Sequence, residues 1–184
     1  MAGYSDYLAS VSMSLSKEKF AQYNDETEIQ NELSRIKVSI PNIKENKIDL
    51  LALRKKMLSP DLVCLVSKRS EYSVKDFKRN VQFLFELGLE YAKAIENNNS
   101  QRHRLVMVDF VSESQFPLEI REYIQDESAM RSTLVRGFST FNYVGFPILA
   151  ELSSGNVFYF EKKPMLGRHL YSIGMKYAKE YFRP

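Results

Sequence analysis

The sequence is poor in cysteine and has no long apolar run. Its single thiol, Cys64, cannot form an internal disulfide, so the chain lacks the paired-cysteine framework of small secreted domains. No stretch reaches the ~20 apolar residues that a membrane-spanning helix needs. The first residues also lack the basic and apolar parts of a signal peptide. We therefore expect a cytoplasmic protein without a membrane partner, in which Cys64 is a small buried hydrophobic residue.

Glycine-rich and catalytic fingerprints are missing as well. The glycines, among them Gly137, Gly145 and Gly155, are scattered and fit no phosphate-binding loop. His103 lies in a basic segment and His169 in a predicted helix, and no serine occupies the Gly-x-Ser-x-Gly turn of hydrolases. The sequence therefore predicts no cofactor, no bound metal and no complete catalytic set, so we do not expect an enzyme.

The sequence does have the balance of an ordinary globular domain. Hydrophobic residues make up 44% of the 184 residues and charged residues 27%, and the formal net charge is only +3. Residues 1–33 are more polar than the rest, and their apolar residues have the spacing of one or two short helices. We expect these residues to form an N-terminal helical arm ahead of an α/β domain at 34–184.

Strand-like and helical segments alternate along the rest of the chain. Residues 105–108 are apolar on both faces, as expected for a central parallel strand, and Ser73 can cap a long helix. The alternation predicts a flavodoxin-like α/β fold, with a mostly parallel five-stranded sheet and helices on both faces. The predicted strands are 36–40, 62–66, 105–108, 133–140 and 157–160, and the predicted helices are 48–58, 73–96, 117–124, 143–152 and 166–182.

Candidate functional residues follow the ends of the predicted strands. In an open parallel sheet, ligands bind beyond the carboxyl ends of the strands. Lys68 follows the second predicted strand and Asp109 the third, and Ser139 and Thr140 follow the fourth. Lys163 follows the fifth. We expect Asp109, Ser139, Thr140 and Lys163 to form one cluster at this edge of the sheet.

In order and spacing, these residues resemble the receiver domain of bacterial response regulators, over most of the predicted α/β domain. In that family an aspartate accepts a phosphoryl group, a Thr or Ser senses it, and a lysine before a proline pairs with the phosphate. The resemblance gives these roles to Asp109, Thr140 and Lys163. Receivers hold Mg²⁺ with an acidic pair after the first strand, where this chain has Pro41 and Asn42. The resemblance therefore implies a degenerate receiver that binds partners without being phosphorylated.

Two further resemblances compete with the receiver. The predicted strand with Asp109 and the helix after it are also similar to STAS domains, which are α/β partner-binding modules. Glu161-x-Lys163 is similar to the acidic-x-Lys element of PD-(D/E)xK nucleases, which need a second acid nearby for their metal. A metal-dependent nuclease and a phospho-accepting receiver are thus the enzyme functions that stay open.

The function expected from these patterns is a non-catalytic regulatory or signalling module that binds another protein. Tyr171, Tyr177 and Tyr181 in the last predicted helix are candidate contact residues, because tyrosine is favoured at interfaces. The alternative is an RNA-binding protein or a coat-type structural protein. It depends on Arg131 and Arg136, which lie among aromatic residues that could stack on bases.

Overall fold

The computed structural model describes residues 3–38, 47–55, 60–69, 73–95, 103–134, 141–162 and 168–184. Within these ranges the elements are α1 (Tyr4–Lys17), β1 (Ala21–Tyr23), α2 (Glu26–Arg35), β2 (Leu50–Arg54), β3 (Asp61–Lys68), α3 (Val74–Ile95), β4 (Arg104–Ser112), α4 (Leu118–Ile124), a 3-10 turn (Glu127–Ala129), β5 (Arg131–Leu134), β6 (Phe141–Glu151), β7 (Asn156–Phe158) and α5 (Arg168–Glu180). None of the described helices is both long and apolar enough to cross a membrane.

The strands form one mixed sheet with the order β1-β2-β3-β4-β6-β5, and β7 pairs with the far end of β6. Among the described strands, β3, β4 and β6 run parallel to one another, and the other pairings are antiparallel. The α/β class is confirmed, but the mostly parallel five-stranded sheet is not, and neither is the flavodoxin-like strand order. One cause is the short connection 55–60, which is too short for a crossover helix and therefore joins β2 and β3 as antiparallel neighbours.

The central elements agree with the sequence prediction. The apolar runs 62–66 and 105–108 lie in β3 and β4, and all nine residues of β4 are buried, as expected for a strand covered on both faces. The predicted long helix is α3. Ser73 caps it, because the backbone N–H of Asp76 donates to the Ser73 hydroxyl at 3.2 Å.

Three predicted elements are wrong. The predicted helix 48–58 contains strand β2, and all but the last residue of the predicted helix 143–152 lies in strand β6. Both segments are apolar on two faces because helices cover both sides of the sheet, and periodicity does not separate such a strand from a buried helix. The described part of the predicted strand 36–40 is not a strand, because Ile36 is the C-cap residue of α2, and residues 39 and 40 lie outside the described residues.

Helices lie on both faces of the sheet, as predicted. One core lies between the sheet and α1 and α5, and the other lies between the sheet and α2, α3 and α4. Tyr7, Val11 and Leu15 of α1 are buried in the first core, so the predicted N-terminal arm shares the core of the sheet. On the other face, a Cβ atom at Gly145 of β6 would lie 2.8 Å from the ring of Phe85, so glycine lets α3 approach the strand closely.

Candidate functional site at the carboxyl edge of the sheet

Polar side chains gather where β3 and β4 approach their carboxyl ends, on the face covered by α1. Because β2 is antiparallel to β3, the residue that precedes β2 lies at this same edge. The backbone N–H of Asp49 donates to the carbonyl of Val66 at 2.9 Å and fixes that position. The carboxyl-edge cluster is defined as Tyr4 and Tyr7 of α1, Asp49 before β2, Lys68 of β3 and Asp109 of β4.

Asp49 is a well-partnered carboxylate. Its Oδ2 atom accepts hydrogen bonds from the Tyr4 hydroxyl at 2.8 Å and from the backbone N–H of Lys68 at 2.9 Å. The Nζ atom of Lys47 lies 3.4 Å from Oδ1. Burial and the bond to Asp49 together raise the pKa of Tyr4 far above its usual value, so this hydroxyl stays protonated and donating.

Asp109 is the most unusual residue of the cluster. The sequence pattern predicted that Asp109 follows its strand, but β4 continues to Ser112 and the side chain of Asp109 is fully buried. The Tyr7 hydroxyl donates to Oδ2 at 2.6 Å, while Oδ1 has no hydrogen-bond partner among the described residues. Burial raises the pKa of Asp109 to about 8, and the hydrogen bond from Tyr7 opposes that rise. Asp109 is therefore mainly a neutral carboxylic acid at pH 7.

Lys68 supplies the positive charge of the cluster. It is the last residue of β3, and its Nζ atom lies 3.0 Å from a carboxylate oxygen of Glu113 and 5.0 Å from the centre of the Tyr4 ring. Arg69 follows it, and the charge of Asp49 acts on its guanidinium, although burial dominates and lowers the pKa of Arg69. Lys68 is partly exposed, whereas Asp109 is fully buried.

Strand register places Asp109 and Lys68 on the same face of neighbouring strands. Val66 pairs with Asp109, and Lys68 pairs with Val111 two residues further along. Side chains two residues apart on a strand point to the same face. Two residues before Lys68, strand β3 has the apolar Val66. The acid beside that position is Asp109 of the neighbouring strand β4.

The other residues of the predicted cluster cannot be placed beside Asp109. Ser139, Thr140 and Lys163 lie outside the described residues, as does Arg136, which was predicted to bind RNA. Only the backbone of Arg131 is described, and it belongs to β5. Glu161 is exposed beyond β7. Lys68 was identified at its strand end from the sequence, whereas Asp49 was missed because its segment was predicted to be a helix.

The predicted contact tyrosines are mostly in the interior. Tyr171 and Tyr177 of α5 are 1% and 3% exposed and belong to the core between the sheet and the helices. Burial therefore removes these two residues from the surface on which we expected them. Tyr181 is half-buried, and its hydroxyl donates to Glu18 at 2.9 Å. The helical spacing of the three tyrosines in α5 reflects packing onto the sheet.

A second polar cluster lies at the opposite edge of the sheet. This amino-edge cluster consists of Glu18, Phe20, Arg54, Tyr177 and Tyr181. Arg54 donates to Glu18 at 2.6 Å, and its guanidinium carbon lies 5.3 Å and 5.6 Å from the ring centres of Phe20 and Tyr177. The cluster joins the end of α1 to β2 and α5.

The donor set at the carboxyl edge suits a hard divalent cation. The described residues contain no group of three or more His, Cys, Asp or Glu side chains that could hold a metal. Mg²⁺, however, is commonly bound by one or two carboxylates, with water and substrate phosphate completing its shell. Asp49 and Asp109 provide two carboxyl groups, and the buried Oδ1 atom of Asp109 has no hydrogen-bond partner among the described residues.

Comparison with known proteins gives no assignment. No family model matches the chain, and neither a curated protein nor a solved structure matches it significantly. The receiver and STAS resemblances therefore stay predictions, and the function has to be argued from the site itself.

Proposed function

We propose that the carboxyl-edge cluster binds the phosphodiester backbone of a nucleic acid together with a divalent cation, and that the protein is a metal-dependent nuclease. The observation that carries the proposal is the buried carboxyl group of Asp109, one oxygen of which has no partner in the part of the chain that the structure describes, and which lies on the same sheet face as Lys68. A buried acceptor without a partner is costly for a fold and is a common sign of a functional site.

The two aspartates are the residues that would hold the cation. Asp49 lies at the start of β2 and Asp109 within β4, and a hydroxyl of α1 reaches each of them. A cation bound there supplies Lewis-acid stabilisation of the charge on a phosphodiester. A cation there would displace the proton of the Asp109 carboxyl group to solvent and would pair with the resulting carboxylate.

Lys68 is suited to bind the scissile phosphate. Its ammonium group is a mobile point charge on a long stem, and its present partner, Glu113, is more than half exposed. An exposed ion pair of this kind contributes little free energy, so a phosphate can replace the carboxylate at low cost. Lys68 would thus neutralise one phosphate oxygen while the aspartates hold the cation.

The surroundings of the cluster carry further positive charge. Lys47 is exposed beside Asp49, Arg69 follows Lys68, and Lys75 and Arg79 are exposed at the start of α3. Residues 69–73 connect β3 to α3, so the start of α3 lies near the carboxyl end of β3, although α3 packs on the face of the sheet opposite to α1. Lysine and arginine side chains grouped at one edge provide the electrostatic attraction on which nucleic-acid binding depends. This distribution favours nucleic acid over a protein partner.

The arrangement also resembles the acidic-x-Lys element of PD-(D/E)xK nucleases, with one difference. Along β3, the position two residues before Lys68 is Val66, which cannot bind a cation. The acid comes instead from Asp109, which pairs with Val66 on the neighbouring strand. Asp49 would serve as the second acid that such sites need. The element proposed from the sequence at Glu161 and Lys163 is not needed for this site.

A cleavage and binding assay on the full chain tests the proposal. Labelled single-stranded and double-stranded DNA and RNA are incubated with Mg²⁺ or Mn²⁺, or with a chelator. We expect cation-dependent cleavage, and a loss of about 100-fold or more for Asp49→Asn, Asp109→Asn and Lys68→Ala. Lys93→Ala is the matched control, because Lys93 forms an exposed pair with Glu90 on α3.

Each alternative function has its own outcome in this assay. Salt-sensitive binding without cleavage, weakened by Lys68→Ala, would favour a nucleic-acid-binding protein that does not hydrolyse its ligand. Absence of both binding and cleavage would contradict the proposal and favour the non-catalytic, protein-binding module expected from the sequence. Cleavage that survives Asp49→Asn and Asp109→Asn would come from another site or from a contaminant.

A further inference from the structure

Both carboxyl groups of the proposed cation site accept hydrogen bonds from side chains of the same helix, α1. Tyr4 donates to Asp49 at 2.8 Å, and Tyr7, one turn further along α1, donates to Asp109 at 2.6 Å. The ring of Tyr4 also lies 5.0 Å from the ammonium group of Lys68. Three of the groups that would contact cation or phosphate are therefore covered by two side chains of α1.

We propose that the first two turns of α1 are a latch, whose tyrosine hydroxyls occupy Asp49 and Asp109 and must withdraw before a divalent cation binds. This inference rests on the proposed function. In the closed arrangement the hydroxyls are neutral donors that take the place of a cation at each acid. Because Asp109 is fully buried beneath Tyr7, a cation reaches it only after this part of the helix moves.

The anchoring of α1 is uneven, as a latch requires. Its second half is held by apolar burial of Val11 and Leu15, and by Gln22 of β1, whose side chain bonds to Ser12 and Ser16. The helix then ends at Glu18 in the amino-edge cluster.

The first turn has weaker contacts. It is capped by a hydrogen bond of 3.2 Å between the backbone N–H of Gly3 and Asp6, and both residues are exposed. Between this cap and Val11, Tyr7 is the only fully buried side chain among the described residues, while Tyr4 and Leu8 are partly buried against the core. Helix ends with few buried contacts open locally at low free energy. The hydroxyl bonds of Tyr4 and Tyr7 are therefore the main polar contacts that keep this end closed.

Binding of Mn²⁺ alone, measured by calorimetry, tests the latch without relying on activity. Tyr7→Phe keeps the ring but removes the hydroxyl, so we expect it to bind Mn²⁺ about tenfold more tightly than the unmodified chain. Tyr143→Phe is the matched control, because it also removes a buried hydroxyl, which donates to the Phe85 carbonyl on the opposite face of the sheet. It should leave Mn²⁺ affinity unchanged, and Asp109→Asn should abolish binding.

Hydrogen exchange gives a second, independent measurement. We expect saturating Mn²⁺ to increase amide exchange in residues 4–11, while exchange in α5 stays the same. Tyr7→Phe should show faster exchange in residues 4–11 even without the cation. If Tyr7→Phe does not fold, Tyr4→Phe provides the same comparison at Asp49.

The outcomes separate the latch from the nuclease proposal. Equal Mn²⁺ affinity of the unmodified chain and Tyr7→Phe, with unchanged or slower exchange in residues 4–11, would overturn the latch. Loss of binding in Asp109→Asn would in that case still support the cation site. If no variant binds Mn²⁺, the cation site and the latch both fall.

Discussion

The two edges of the sheet combine the same kinds of side chain in opposite ways. At the amino edge, both carboxylate oxygens of Glu18 accept hydrogen bonds, from Arg54 at 2.6 Å and from Tyr181 at 2.9 Å. At the carboxyl edge, Asp109 accepts one bond from Tyr7, and its other oxygen has no partner among the described residues. Glu18 and Asp109 are thus both held by tyrosine, but among the described residues only Glu18 of these two acids is paired with a cation.

The pKa values of the two acids show the consequence. The hydroxyl of Tyr181 and the charge of Arg54 lower the pKa of Glu18 despite the cost of its partial burial. Burial raises the pKa of Asp109 to about 8, because its one hydrogen bond compensates only in part. The amino edge is therefore arranged to stabilise the fold, whereas the carboxyl edge keeps an acid that would gain from binding a positive charge.

The largest effect is expected for Asp109→Asn as the pH is varied. Between the unfolded pKa of 3.8 and the folded pKa of about 8, the folded state holds a proton that the unfolded state has released. Stability of the unmodified chain therefore falls as pH rises through this window and levels off above it. The amide of the variant has no such titrating proton. We therefore expect the unfolding free energy of the variant, measured relative to that of the unmodified chain, to rise by about 3–4 kcal/mol between about pH 5 and about pH 8.

Urea denaturation at several pH values measures this difference. Glu122→Gln, which changes an exposed carboxylate on α4, is the control and should follow the unmodified chain at every pH. Parallel pH profiles for Asp109→Asn and the unmodified chain would show that Asp109 is ionised in the folded protein. The contrast between the edges would then be lost.

The next largest effect is expected for Arg54→Met at the amino edge. The side chain of Arg54 is 11% exposed, so methionine would fill much of its volume but remove its charge and its bond to Glu18. We expect the unfolding free energy to fall by about 2 kcal/mol, from the lost ion pair and the lost contacts with aromatic rings. Arg79→Met, in a pair that is 75% exposed on the arginine side, should change it by less than about 0.5 kcal/mol. If Arg54→Met and Arg79→Met lowered the unfolding free energy equally, the amino-edge cluster would contribute no more to stability than an exposed ion pair.

The smallest effect is expected for Tyr181→Phe. The variant loses one hydrogen bond to Glu18, while Arg54 and the longer 3.4 Å contact from Tyr177 remain. We expect a loss of about 1 kcal/mol in unfolding free energy, and no change in Mn²⁺ affinity at the other edge. A change in Mn²⁺ affinity would show that the two edges are coupled more strongly than their separation along α1 suggests.

The sequence predicts correctly those parts of the fold whose secondary structure is determined by the local sequence pattern. The cap at Ser73 and the apolar run of β4 carry their own signals, and both were identified correctly. The direction of β5 was not, because direction depends on which strands meet after the chain folds, and the segment of β2 was predicted to be a helix. Burial of β6 on both faces likewise hid its strand character.

The candidate site was predictable only in part, for the same reason. Lys68 and Asp109 stand out in the sequence because each interrupts or ends an apolar run. Asp49 has no such signal, since its position beside Lys68 exists only through the antiparallel pairing of β2 with β3. The tyrosines of α1 were also missed, because helical spacing shows which residues are buried but not which acid they meet.

Helix α1 contributes to the polar clusters at both edges of the sheet. Glu18 lies at its carboxyl end, and Tyr4 and Tyr7 lie near its amino end. A substitution that tightens the helix would improve thermal resistance and at the same time make the acids harder to reach. Selection for thermal stability and selection for catalytic activity should therefore favour opposite changes in this helix. We expect laboratory evolution for heat tolerance to accumulate changes in α1 that lower cation affinity, and evolution for activity to weaken its first two turns.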